Sequence, residues 1–104
     1  MADGIVMRVH RVRAEIVVAA CDEELLGRSL PVGTAGRTVA VTSHFYGERR
    51  VTAEEFLLAA RRATIVNLLG ARVLATAERA GLVAPGGTGT LGGVPHAEIF
   101  SVEE

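Results

Sequence analysis

Three groups of residues carry side chains from which chemistry can be built. Cys21, followed by Asp22, ends the apolar run Glu15 to Cys21. In α/β enzymes a nucleophile often stands at such a strand-to-turn position, and His96 or His44 are the imidazoles that could serve it as base. The catalytic set is therefore Cys21, Asp22 and His96. The same cysteine also reads as a small core residue, inert because apolar surroundings raise a thiol's pKa. The second group is the segment Gly92, Gly93, Val94, Pro95 and His96, whose backbone amides and imidazole could meet a small anion or carbonyl. Those residues also make an ordinary turn, the glycines supplying positive φ and Pro95 setting the entry to a strand. The third group is cationic. Arg8, His10, Arg11 and Arg13 surround the first hairpin, and Arg49, Arg50, Arg61 and Arg62 flank the first helix. On one surface they could hold an RNA backbone while Phe45 or Tyr46 stacks a base. The alternative is a solvated set paired with Glu15, Glu48, Glu54 and Glu55, each exposed pair contributing about 0–1 kcal/mol.

Two further chemistries find no support in spacing. His10, His44 and His96 with Asp22, Glu23 or Glu24 form neither an HExxH pattern nor a paired-ligand spacing, so no metal and no cofactor is expected. Pro85 to Gly93 (PGGTGTLGG) lacks the Gly-Lys-Ser/Thr ending of a phosphate loop, and no helical pattern opens after it. Cys21 is the lone cysteine, which excludes an internal disulfide and a thiolate-rich zinc site. All 11 cationic side chains are arginine, yet the formal net charge is −1, which weighs against coating nucleic acid by bulk positive charge. With 49% hydrophobic and 22% charged residues the composition is that of a globular chain. No basic-then-apolar leader and no apolar run near the roughly 20 residues of a membrane span appears, so a cytoplasmic protein without membrane contact is expected.

These side chains must be positioned by elements that the pattern also predicts. Ile5, Met7 and Val9 alternate with Val6, Arg8 and His10 as a strand, and Glu15 to Cys21 follows as a central strand across a hairpin. Asp22, Glu23 and Glu24 supply a cap and first-turn acids for one helical turn that Gly27 ends. Pro31, Gly33 and Gly36 mark a loop, and Thr38 to Thr42 alternates as a short strand. Thr52 and Glu55 form a capping box, with Val51 and Phe56 as its hydrophobic staple, so a helix starts at Ala53. Helical patterning continues to Ala80, with Gly81 and Leu82 as its C-terminal cap. A straight helix of that length would outrun a body of this size, whose radius of gyration should be roughly 13 Å. The chain must break near Arg62 to Thr64, where Thr64 can cap a second helix carrying Val66, Leu69, Val73, Ala77 and Ala80 on one face, or at Gly70. Ala97 to Val102 closes the sheet. The expectation is an α+β fold over residues 1–104 as one domain: a two-layer sandwich, with a mainly antiparallel sheet of about four to five strands and two consecutive helices on one face.

The segments AACDEELLG (Ala19 to Gly27), FYGERRV (Phe45 to Val51), ATIVNLLG (Ala63 to Gly70) and GGVPHAEI (Gly92 to Ile99) occur here in one order. Taken together the chain resembles the small archaeal proteins grouped as domain-of-unknown-function family 424, over about Val9 to Phe100. The resemblance implies an archaeal source and a small two-layer α/β fold, and brings no assigned activity. The function expected is that of an uncharacterised, non-enzymatic binding domain, with RNA or a ribonucleoprotein as partner. Its binding set is Arg8, His10, Arg11, Arg13, Phe45, Tyr46, Arg49, Arg50, Gly92, Gly93, Pro95 and His96. Two alternatives stand beside it: a small-molecule-binding protein or enzyme using Gly92 to His96 with Cys21, and a homo-oligomer joined through an uncovered sheet face.

Overall fold

Alternation in the first twenty residues produces a hairpin, β1 (Ile5–Val12) and β2 (Glu15–Asp22), whose register pairs Val12 with Glu15 across a two-residue turn. The computed structural model describes residues 4–84 and 87–100. A 3₁₀ turn (Glu23–Leu25) leads to β3 (Ser29–Val32) and β4 (Arg37–Ala40), then α1 (Ser43–Tyr46), β5 (Arg49–Val51), α2 (Ala53–Arg62), β6 (Ile65–Leu69), α3 (Ala71–Arg79), β7 (Gly89–Leu91) and β8 (Val94–Phe100). Among the described residues the fold is α+β with three α-helices. Its main sheet has six strands, in the order β5-β1-β2-β6-β8-β7, more than the four to five expected. The sheet is mixed, because β2 and β6 run parallel while the other neighbours are antiparallel. The radius of gyration is 13.2 Å.

The capping box at Thr52 and Glu55 is present, and Val51 and Phe56 are buried in one cluster as the staple requires. At the other end, the Leu82 N–H donates to the Ala77 carbonyl beyond Gly81, the closing bond of a Schellman motif. Between these ends the expected second helix is corrected. Both proposed break points are breaks, and the residues between them form β6. Val66 and Leu69 cannot share a helix stripe because the pleat sends them to opposite sides of the sheet: Val66 joins the cluster under α2 and α3, and Leu69 the cluster on the other face. Thr64 caps nothing. Its Oγ1 accepts from the Ile16 N–H at 2.8 Å and donates to the Ile16 carbonyl at 3.1 Å, fixing the start of β6 beside β2.

Odd and even residues therefore build two cores. On one face Ile5, Met7, Val18, Ala20 and Leu68 meet Phe56 and Ala60 of α2 and Val73, Leu74 and Ala77 of α3. On the other, Val6, Ala19, Cys21 and Leu69 meet Leu25, Leu30, Val41 and Tyr46. The second core makes a third layer at one end of the sheet, where a two-layer arrangement would have left that face open. Its cover is α1 with the separate two-stranded sheet β3–β4, and Pro31 lies within β3 where a loop was expected. The other end of the same face stays uncovered. Pro85 and Gly86 of the glycine-rich connection, and Val102 of the expected closing strand, lie outside the described residues.

Candidate functional site

Cys21 is wholly buried, and its strand row runs Cys21, Leu69, His96, Gly89 across β2, β6, β8 and β7. Leu69 thus stands between the thiol and the imidazole, which lie two strand spacings apart, about 10 Å. The chain does not bring Cys21 and His96 together. Burial, followed by the negative charges of Asp22 and Glu24, pushes the thiol up to about 12, so no thiolate forms near neutral pH.

Asp22 has a different office from the one its sequence position suggested. It makes no side-chain cap on the turn that follows it. Its carboxylate reaches across to the start of α3, accepting from the backbone N–H groups of Arg72 and Val73, each at 3.0 Å. Gly70, at φ 122°, is what lets it in: a Cβ on Gly70 would lie 2.3 Å from the Asp22 carboxyl carbon. The crevice at the carboxyl ends of parallel strands is where open α/β sheets usually bind ligands. Here β2 and β6 end with a carboxylate already seated on the helix N-terminus.

Gly92 and Gly93, at φ 58° and 83°, form the tight turn joining β7 to β8, the left-handed pair that a two-residue hairpin demands. Pro95 lies in β8 and its carbonyl accepts from the Gly70 N–H at 2.8 Å. His96 is half-buried. The segment closes the sheet edge, and Gly92 packs against Leu30 and Pro31 of β3.

The cationic residues separate by strand register. Arg8 and Arg50 project on the face that carries Cys21, while Arg11 and Arg49 project on the face that carries α2. Arg13 occupies the hairpin turn at φ 57°. Arg49 pairs with Glu55 at 2.9 Å, Arg50 with Glu23, and Arg72 with Glu24 at 3.5 Å. Among the described residues no acidic side chain pairs with Arg8, Arg11, Arg13, Arg61 or Arg62. The seven arginines and one histidine of the sequence set therefore do not make one patch.

What the fold does gather is a subset around Phe45. Arg8 donates to the His44 carbonyl at 3.1 Å, and the His10 Nε2–H donates to the Phe45 carbonyl at 2.7 Å, so both side chains serve the carbonyl end of α1. The His10 and Phe45 rings stack, centroids 5.4 Å apart and planes 21° from parallel. Tyr46 is buried beside them; its hydroxyl donates to Asn67 Oδ1 at 2.9 Å, and burial, then Cys21 and Glu98, push its pKa up to about 12. It is a core residue and offers no free ring face. Beyond this cluster the sheet is uncovered: His10, Val17, Ile65 and Phe100 form one row across four strands, about 14 Å long. Phe100 is 63% exposed. The sequence set missed Phe100, although Ile99 and Phe100 are adjacent in a strand and one of them had to face away from the helices. On the same face the adjoining row places Glu98 and Asn67 nearest to it, and Arg8 at the far end of that row on β1.

Among the described residues, no group of three or more histidine, cysteine, aspartate or glutamate side chains is placed to hold a metal, and no helix is long and apolar enough to cross a membrane. Comparison with known proteins adds an outline. No curated protein matches the chain. A crystal structure of an uncharacterized conserved protein from the archaeon Methanopyrus kandleri is similar to it at a TM-score of 0.80 and 28% sequence identity, covering 96% of this chain and 95% of that one. Residues 10–102 match the family described as Protein of unknown function (DUF424), and the chain belongs to that family.

Proposed function

We propose that this chain is a cytoplasmic, non-enzymatic binding domain that takes single-stranded RNA on the uncovered half of its sheet. The observation that carries the proposal is the stacked His10–Phe45 pair at one end of a cross-strand row and the exposed Phe100 ring at the other. Bases stack on aromatic faces without regard to sequence, and rings about 14 Å apart along a sheet suit next-but-one bases of an extended strand. Arg8 and Arg13 border this face and supply phosphate contacts, while Glu98 on the same face limits the electrostatic share.

The test is a fluorescence titration of a labelled ten-residue oligouridylate against the protein at low and moderate salt. Two arginine contacts predict a shallow log–log salt slope, about −1.4 for a single strand. Phe100→Ala and Phe45→Ala should each weaken binding by about tenfold, the loss of one stacked base. Absence of binding at low salt, or binding that survives both substitutions unchanged, would remove the proposal. Self-association through this face is the other outcome, visible as a mass in light scattering that doubles with concentration and reverts in Phe100→Ala.

A further inference from the structure

The outer edge of the sheet at β1 is half finished. β5 pairs with Ile5 to Met7 and stops, leaving Arg8 to Val12 without a ladder partner on that side among the described residues. The hairpin register decides which backbone groups this exposes. The pair Gly4 and Glu23 is hydrogen-bonded, with the Glu23 N–H on the Gly4 carbonyl at 2.8 Å, so even-numbered residues of β1 direct their N–H and C=O groups at β2. Odd-numbered residues direct theirs outward. Ile5 and Met7 are taken up by β5. Val9 and Arg11 are left, four main-chain groups with no protein partner among the described residues.

The side chains beside this edge are arranged as a cleft of about 240 Å³, lined by Val9, Arg11, Ile16, Ala59 and Arg62. Its floor is apolar, Val9 being 41% exposed, and its lip carries two guanidinium groups with no acidic partner, and no carboxylate in the lining, among the described residues. We infer that this edge is a strand-addition site for an extended, acidic segment of another protein. Main-chain pairing to Val9 and Arg11 supplies affinity. Two partner side chains two residues apart then face α2: an apolar one lies over Val9, Ile16 and Ala59, and a carboxylate lies between Arg11 and Arg62. Charge complementarity selects the occupant, since a basic or phosphate-free polar strand would leave both guanidiniums unpaired. This edge faces α2, on the opposite side of the sheet from the surface proposed for RNA, so the two proposals stand or fall separately.

The probe is a fluorescein-labelled, end-blocked nine-residue peptide of threonines, with one valine and one glutamate two positions apart at its centre. Binding is read by polarisation up to about 1 mM, together with hydrogen exchange at the Val9 and Arg11 amides. Saturable binding with protection of both amides is expected. It should fall by about tenfold or more in R11E/R62E and when the peptide's glutamate is replaced by lysine. Methylating one set of alternate peptide amides should abolish binding while methylating the other set leaves it, because a strand pairs through one edge only. Ala59→Leu, which fills the cleft without touching charge, should weaken binding in a protein whose fold is unchanged. No saturable change, equal loss from both methylated peptides, or unprotected Val9 and Arg11 amides would overturn the inference. So would displacement of the peptide by oligouridylate, or concentration-dependent protection of these amides without peptide, which would give the edge to nucleic acid or to a second copy of the chain.

Discussion

Replacing Asp22 tests whether its carboxylate is a helix cap or a reacting group. In Asp22→Ala the N–H groups of Arg72 and Val73 lose both acceptors at the start of α3, and the side chain they lose is 4% exposed, so water replaces it poorly. An exposed N-cap deletion costs about 1 kcal/mol, and each stranded buried donor about 1–3 kcal/mol. The sum for this site is about 3 kcal/mol, a large share of the roughly 5–15 kcal/mol that holds a domain together. With a urea slope near 1–1.5 kcal/mol/M for a chain of this length, the unfolding midpoint should fall by about 2–3 M. Asp22→Asn keeps one acceptor oxygen and loses the charge, and should cost about half as much. Urea unfolding followed by circular dichroism measures both. An alanine variant within about 0.5 kcal/mol of the parent, or an asparagine variant as damaged as alanine, would refute the capping argument.

Gly70→Ala should be at least as damaging, about 2–4 kcal/mol in the same assay, because it combines a strained φ of 122° with a Cβ 2.3 Å from the Asp22 carboxyl carbon. Thr64→Val removes both bonds to the Ile16 backbone and should lower stability by about 1–2 kcal/mol, with amide exchange faster at Ile16 than at Ala20. Cys21 should resist iodoacetamide at pH 8 in the native protein and react at once in urea, checked by mass spectrometry. Stability should also fall on the alkaline side. Cys21 and Tyr46 both have folded pKa values raised to about 12, from ordinary values of 9.0 and 10.0, so the folded chain keeps protons that the unfolded chain releases. Their contribution is intact below about pH 9 and is lost as pH rises toward 12. Cys21→Ala should flatten the urea midpoint between pH 9 and 10, and Tyr46→Phe between pH 10 and 11.

What was legible in the sequence was what neighbours decide. The box at Thr52 and Glu55, the staple of Val51 and Phe56, and the cap at Gly81 and Leu82 are all settled within a turn or two of chain. Ile65 to Leu69 was misread because Val66, Leu69 and Val73 fit a helical period as well as a buried strand does, and only the parallel pairing to β2, nearly fifty residues earlier, decides between them. The strands β5 and β7 are three residues each and carry no period at all. The four-residue helix α1 was missed for the same reason. Asp22 looked like the cap of the nearest turn; its true partner is a helix fifty residues on, brought near by the parallel pair. Of the site residues, His10 and Phe45 were each named for their chemistry, but their stacking across 35 residues is tertiary and left no local mark.

The position of Asp22 also bears on where a ligand can be. Parallel strands followed by a helix ordinarily leave N–H groups free at the strand ends, and anions collect there. In this chain the same N–H groups are consumed by a side chain from the neighbouring strand, and Gly70 is shaped around that carboxylate. A phosphate would have to displace a buried, charge-assisted bond pair and bring its own charge beside a carboxylate. The neighbouring end of the sheet is shut from the other side by Cys21, Leu69 and Tyr46 under β3–β4 and α1. Both layers thus close the end of the sheet where such folds usually work. The opposite end keeps an exposed ring at Phe100, a stacked pair at His10 and Phe45, and main-chain groups at Val9 and Arg11 that are unpaired among the described residues. The closure of one end by an internal carboxylate, with the other end left unfinished, is why both proposed binding surfaces lie at the hairpin end of the molecule.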